Sequence, residues 1–132
     1  MTHENSGWLR VIIMLLAAEK IVQHVAVTLA LYLNWRDIRS TVAVPPDVLL
    51  VLGAIAAVLW AVALWGLARR RRWAAGLVMG LAVFDMVGEF AAQGRLDIQI
   101  NVSFLVATSL LILCLVYRGR TARAASLAVG GK

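Results

Sequence analysis

At 132 residues the chain has room for one compact domain, and its 62% hydrophobic, 15% charged composition, with a mean hydropathy of +0.85, excludes the mixture of a soluble domain, which is roughly half apolar and a quarter charged. A net charge of +6 would suggest nucleic acid in a soluble protein. Here the arginines sit in the short segments between apolar runs, which is a topology signature and makes anionic lipid headgroups, not nucleic acid, the expected partner.

Residues 1–7 form a polar lead with His3 and Glu4, expected to be mobile. An apolar run over residues 8–33 follows, interrupted by Arg10 and by the cluster Glu19, Lys20, Gln23 and His24. As a cleaved signal peptide it is too long, and charges break its apolar region. Pro45, Pro46 and Asp47 then stop one helix and start the next, because proline removes a donor and an acid suits a helix N-terminus. The second run, residues 48–67, has no ionisable side chain. After the turn of Arg69, Arg70, Arg71 and Arg72, residues 73–92 carry Asp85 and Glu89, and residues 98–117 form the last run. Residues 118–132 are basic, rich in Ala and Gly, and expected to be a disordered tail. Cys114 is the single cysteine, so there is no disulfide framework.

Each run approaches the roughly 20 residues that cross a hydrocarbon core. The predicted fold is therefore all-α, a polytopic membrane protein built as an antiparallel bundle of four transmembrane helices over residues 1–117. Such a chain has both termini and the arginine turn on one side. That side holds Arg10, the four turn arginines, Arg118, Arg120, Arg123 and Lys132, against Arg36, Arg39 and Arg95 opposite. The positive-inside rule makes the termini cytoplasmic and the location a cell membrane, inner or plasma, with Arg69–Arg72 as the anchor on headgroups. Aromatic side chains agree, with Trp8, Trp65, Trp73 and Tyr117 near one interface and Tyr32 and Trp35 near the other.

Depth places the ionisable groups in two layers. At about 1.5 Å per residue, Glu19, Lys20 and Asp85 share one level, and His24, Glu89 and Asn101 share another nearer the outer face, with Gln23 beside them. The polar arc of the first helix spans about 140°, Asp85 and Glu89 stand on one stripe of the third, and lipid solvates neither. Three acids face Lys20 and His24. In low dielectric a carboxyl keeps its proton, His24 takes one, or a cation binds, so the site is expected to exchange a proton or a cation.

A plainer reading competes: Lys20 with Asp85 and His24 with Glu89 fix helix register as polar glue. Metal binding by His24 with Glu19, Asp85 or Glu89 is chemically open, but no HxxxH or CxxC spacing supports it. Haem held by two histidines would need a second membrane histidine. No cofactor is expected. Gly76 and Gly80 make a small-xxx-small face roughly opposite Asp85, open to an internal neighbour, to a homodimer or to chance. Trp60 lies inside the second run, as a core filler or a surface for stacking a ligand.

A four-helix protein of this size with a glutamate halfway along its first helix, in Leu16-Ala17-Ala18-Glu19, resembles the small multidrug resistance transporters, in which such a glutamate binds drug and protons. The likeness stops at that residue. Lys20 beside it is foreign to the family, the glycine-rich and tryptophan-bearing signatures of its later helices are absent, and the arginine bias opposes dual topology. A looser likeness is to sterol isomerase-type membrane folds, where buried carboxylates meet an amine or carbocation. No functional residue is carried over from either. The expected function is proton-linked transport or binding of a small or cationic ligand. The alternatives are a non-catalytic accessory or assembly protein and an intramembrane enzyme acting on a lipid or isoprenoid.

Overall fold

The computed structural model describes residues 2–94 and 102–130. Four helices account for nearly all of them: α1 (Thr2–Tyr32), α2 (Pro46–Ala68), α3 (Ala74–Gln93) and α4 (Val102–Gly130), with a short 3-10 strap at Trp35–Ser40 between α1 and α2. Among the described residues there is no strand. All four helices contain a segment long and apolar enough to cross a membrane, so the chain has the build of a small multi-pass membrane protein.

The element boundaries follow local chemistry. Pro46 opens α2 with Asp47 in its first turn, where proline loses nothing by lacking a donor and the acid faces the positive end of the helix dipole. Gly94 ends α3 in the left-handed region (φ 62°), its N–H reaching the carbonyls of Phe90 and Ala91. The strap turns sharply through Asn34, Arg36 and Asp37, all at positive φ, and is held by Asn34 Oδ1, which accepts the Arg39 N–H at 3.2 Å, and by an Arg39–Asp47 ion pair. Two ends depart from expectation. Helix α1 begins at Thr2, ahead of the predicted start at residue 8, and α4 runs on to Gly130 where a disordered tail was predicted. The Ala, Arg and Leu of that tail are strong helix formers, and no proline interrupts them.

Helix α1 packs on α2 and α4, α2 on α3, and α3 on α4. The seam between them is written at helical spacing: Leu9, Ile13 and Ala17 on α1; Ala56, Trp60, Ala63 and Leu67 on α2; Ala74, Val78, Leu81 and Ala82 on α3; Ala107, Leu110 and Cys114 on α4. Six alanines in this seam let the backbones approach, as in membrane helix pairs. Gly53 shows how close: a Cβ there would lie 2.6 Å from Thr28 Oγ1. The outside is apolar, with Val22, Leu29, Val58, Val87 and Leu115 all exposed, while the buried set includes the charged residues Lys20 and Asp85. A water-soluble protein has the reverse distribution.

Candidate functional site: a polar cluster beneath an apolar cavity

Lys20 of α1 and Asp85 of α3 meet in the interior. Lys20 is fully buried and Asp85 is 8% exposed, with Nζ 3.2 Å from Asp85 Oδ2. The ammonium also donates to Gln23 Oε1 at 2.9 Å, to Ser103 Oγ at 2.9 Å and to the Ser103 carbonyl at 3.1 Å. Those three acceptors use the three donors of an ammonium; accordingly Asp85 Oδ2 has no aligned hydrogen bond and is held by charge. The other carboxylate oxygen, Oδ1, lies 3.0 Å from His24 Nε2. Lys20 and Ser103 thus tie α1 to α4, and Asp85 ties α3 to α1 through Lys20 and His24.

The helical repeat explains why these groups converge. Lys20, His24, Val27 and Leu31 stand at i, i+4, i+7 and i+11 on α1, and Asp85, Gly88, Glu89 and Ala92 at i, i+3, i+4 and i+7 on α3, so each set forms one stripe. Above the Lys20–Asp85 pair, toward the strap, these stripes border an open concavity of about 410 Å³. Its polar part is Gln23, His24, Asp85, Glu89 and Ser103. The apolar walls come from Val27, Leu49, Leu52 and Phe84, and Ile38, Thr41 and Val42 of the strap region reach over it. The Ala43 N–H donates to the Ala92 carbonyl at 3.0 Å, which fastens the strap connection to α3 beside the cavity. An apolar concavity with a few convergent polar groups is the common form of a small-ligand site.

Of the residues singled out from sequence, Gln23, His24, Asp85 and Glu89 line the cavity, and Lys20 lies behind them against Asp85. Glu19 does not line it; one of its carboxylate oxygens, Oε2, is buried without a hydrogen-bond partner. Asn101 lies outside the described residues. Trp60 is fully buried in the core and away from the cavity lining, its indole N–H without an acceptor, which makes it core filler here and not a stacking surface. Gly76 and Gly80 are on the open side of α3, where an added Cβ meets nothing within 4 Å, so this face packs on no internal neighbour. Among the described residues no three metal-ligating side chains gather.

The pairing differs from the expected one at a single point: His24 bonds Asp85, one turn before Glu89. Depth counting along separate helices carries an error of about a turn, and that is enough to join the two expected layers through Asp85. It also changes the charge balance. Asp85 faces both basic side chains of α1, Lys20 through Oδ2 and His24 through Oδ1. Sequence reasoning missed Ser103 and the strap residues. Ser103 is an ordinary helix residue whose hydroxyl and carbonyl matter only because Lys20 ends beside them.

Comparison with known proteins finds no matching family model, no matching curated protein and no matching solved structure.

Proposed function

We propose that the four helices cross a cell membrane, inner or plasma, as an antiparallel bundle with both termini and the Arg69–Arg72 turn on the cytoplasmic side, and that the cavity takes up a small cationic ligand in a process linked to protons. The carrying observation is the cavity itself: about 410 Å³, apolar-walled, and bounded at its inner end by His24, Asp85 and Glu89. Apolar walls suit the body of a lipophilic cation, and carboxylates in low dielectric suit its charge. Entry of a cation beside the His24–Asp85 pair favours the ionised carboxylate and the neutral imidazole, so binding and proton release are linked. The arginine bias between the two ends supports the orientation.

The test is binding of tetraphenylphosphonium to the full chain in detergent by calorimetry, with proton release followed in lightly buffered solution. Saturable binding accompanied by proton release is expected, weakened by Glu89→Gln. Neither binding nor proton movement across a panel of organic cations would sink the reading.

A second reading has its own observation. Lys20 is completely enclosed and contacts α1, α3 and α4 at once, which is what register-fixing glue in an accessory or assembly protein requires. On that reading the exposed Gly76/Gly80 face of α3 receives a partner helix, including a second copy of this chain. A complex that survives mild detergent and is lost on Gly80→Leu, with no ligand bound in the cavity, would favour it.

A further inference from the structure

The opposite end of the molecule carries a second concavity, of about 500 Å³, where the turn between α2 and α3 meets α4. Arg70, Arg71 and Arg72 line it from the turn and Arg118 from α4, and no acidic side chain lines it. Among the described residues none of the four takes part in an ion pair. Among the described residues, Arg118 donates to the sulfur of Met79, at 4.0 Å, a weak acceptor. Four exposed guanidinium groups around one hollow raise its positive potential and favour an anion there.

The backbone of the turn explains how three consecutive arginines reach one hollow. The Arg71 N–H bonds the Gly66 carbonyl at 2.8 Å and the Arg70 N–H bonds the Leu67 carbonyl at 3.1 Å, which is the Schellman pattern of a helix end. Its left-handed position is Arg70, at φ 54°, where glycine is the usual residue. The turn presents Arg70, Arg71 and Arg72 in succession to the hollow. Beyond the turn, Trp73 precedes α3 without any side-chain capping bond, and Ala75 in the first turn of α3 lines the same hollow. The uncapped N–H groups of that turn add positive character to it.

We propose that this concavity is a site for a phosphoryl anion, carried in the membrane by an anionic lipid headgroup. Guanidinium groups match phosphate oxygens in pairs, and basic hollows between membrane helices are suited to such headgroups. Trp65 stacks beneath Arg69, whose guanidinium carbon lies 5.8 Å from its ring centre, as expected where a turn meets the interface. The proposal rests on the reading of the helices as membrane spans and is independent of what the cavity at the other end binds.

The experiment uses the full chain in detergent. Thermal midpoints are compared in mixed micelles containing phosphatidylglycerol or phosphatidylcholine and, without lipid, in inorganic phosphate; native mass spectrometry counts retained lipid. Phosphatidylglycerol is expected to raise the midpoint above phosphatidylcholine and to stay bound. The Arg71→Gln/Arg118→Gln variant should lose both effects, and Arg120→Gln, whose side chain does not line the hollow, should keep them. A rise with inorganic phosphate alone, also lost in the double variant, would assign the site to free phosphate with the same chemistry. Arg70→Gly separates structure from binding: it should raise the lipid-free midpoint by relaxing the turn while shrinking the response to phosphatidylglycerol, and it carries the test if the double variant does not fold. Equal responses to the two lipids with no response to phosphate, or a loss in Arg120→Gln as large as in the double variant, would overturn the proposal in favour of diffuse attraction. Tetraphenylphosphonium binding should be unaffected throughout, so failure of the cavity reading remains distinguishable.

Discussion

His24 and Lys20, one turn apart on α1, hold opposite oxygens of the same carboxylate: Nε2 of His24 lies 3.0 Å from Asp85 Oδ1 and Nζ of Lys20 lies 3.2 Å from Oδ2. The two contacts differ in surroundings, because the Lys20 side chain is fully buried whereas that of His24 is 18% exposed and lines the cavity. Asp85 is therefore structural on one side and accessible on the other. The glue and ligand-site readings divide along that line.

The Lys20 half should behave as a buried ion pair. Lys20→Met leaves Asp85 without its counter-charge and is expected to cost about 3–5 kcal/mol, while Lys20→Met with Asp85→Leu should recover most of that loss, since a buried pair replaced by apolar side chains is often near neutral. Reversible unfolding in mixed detergent micelles measures both. A double variant as unstable as the single one would show that Gln23 and Ser103, not charge pairing, set the cost.

The His24 half should separate hydrogen bonding from proton exchange. Glutamine offers an N–H donor in place of Nε2–H but does not titrate, so His24→Gln is expected to keep the fold and cation binding while abolishing the proton release that accompanies it. His24→Leu removes the donor and should lower stability by about 1–3 kcal/mol, the cost of an unsatisfied buried acceptor. Proton release by His24→Gln equal to that of the parent would move the exchange to another group, with Glu89 next in line.

Much of this was legible in the sequence because membrane helices are written in long apolar runs. Spans, approximate turns and the convergence of His24, Asp85 and Glu89 all follow from hydropathy and the helical repeat. What the sequence does not carry is rotation and depth to within a turn. Glu19 and Lys20 are adjacent, yet only Lys20 points to the seam with Leu9, Ile13 and Ala17, while Glu19 stays off the cavity lining. Ser103 and the strap were invisible for another reason: a serine hydroxyl and a loop segment acquire a role only from what other elements place beside them.

Two glycines test the packing in opposite directions. A Cβ on Gly53 would lie 2.6 Å from Thr28 Oγ1, so Gly53→Leu should force α1 and α2 apart and cost about 1–3 kcal/mol, as overpacking does. A Cβ on Gly80 meets nothing within 4 Å, so Gly80→Leu should leave monomer stability unchanged. Unfolding midpoints at high dilution in detergent compare the two. A concentration-dependent loss in Gly80→Leu alone would reveal that α3 packs on a second chain.

Trp60 offers the cleanest test of the core. It is fully buried and its indole N–H has no acceptor, so the ring contributes packing while the polar atom costs. Trp60→Phe removes the unsatisfied donor and part of the ring volume together, and these changes offset; the expected net effect is within about 1 kcal/mol, against about 3–5 kcal/mol for Trp60→Ala, which leaves a cavity. Thermal unfolding of the three proteins in one detergent decides the matter. If Trp60→Phe were nearly as damaging as Trp60→Ala, the indole N–H would have to be donating to an acceptor inside the ring of helices, and Trp60 would return as a polar participant.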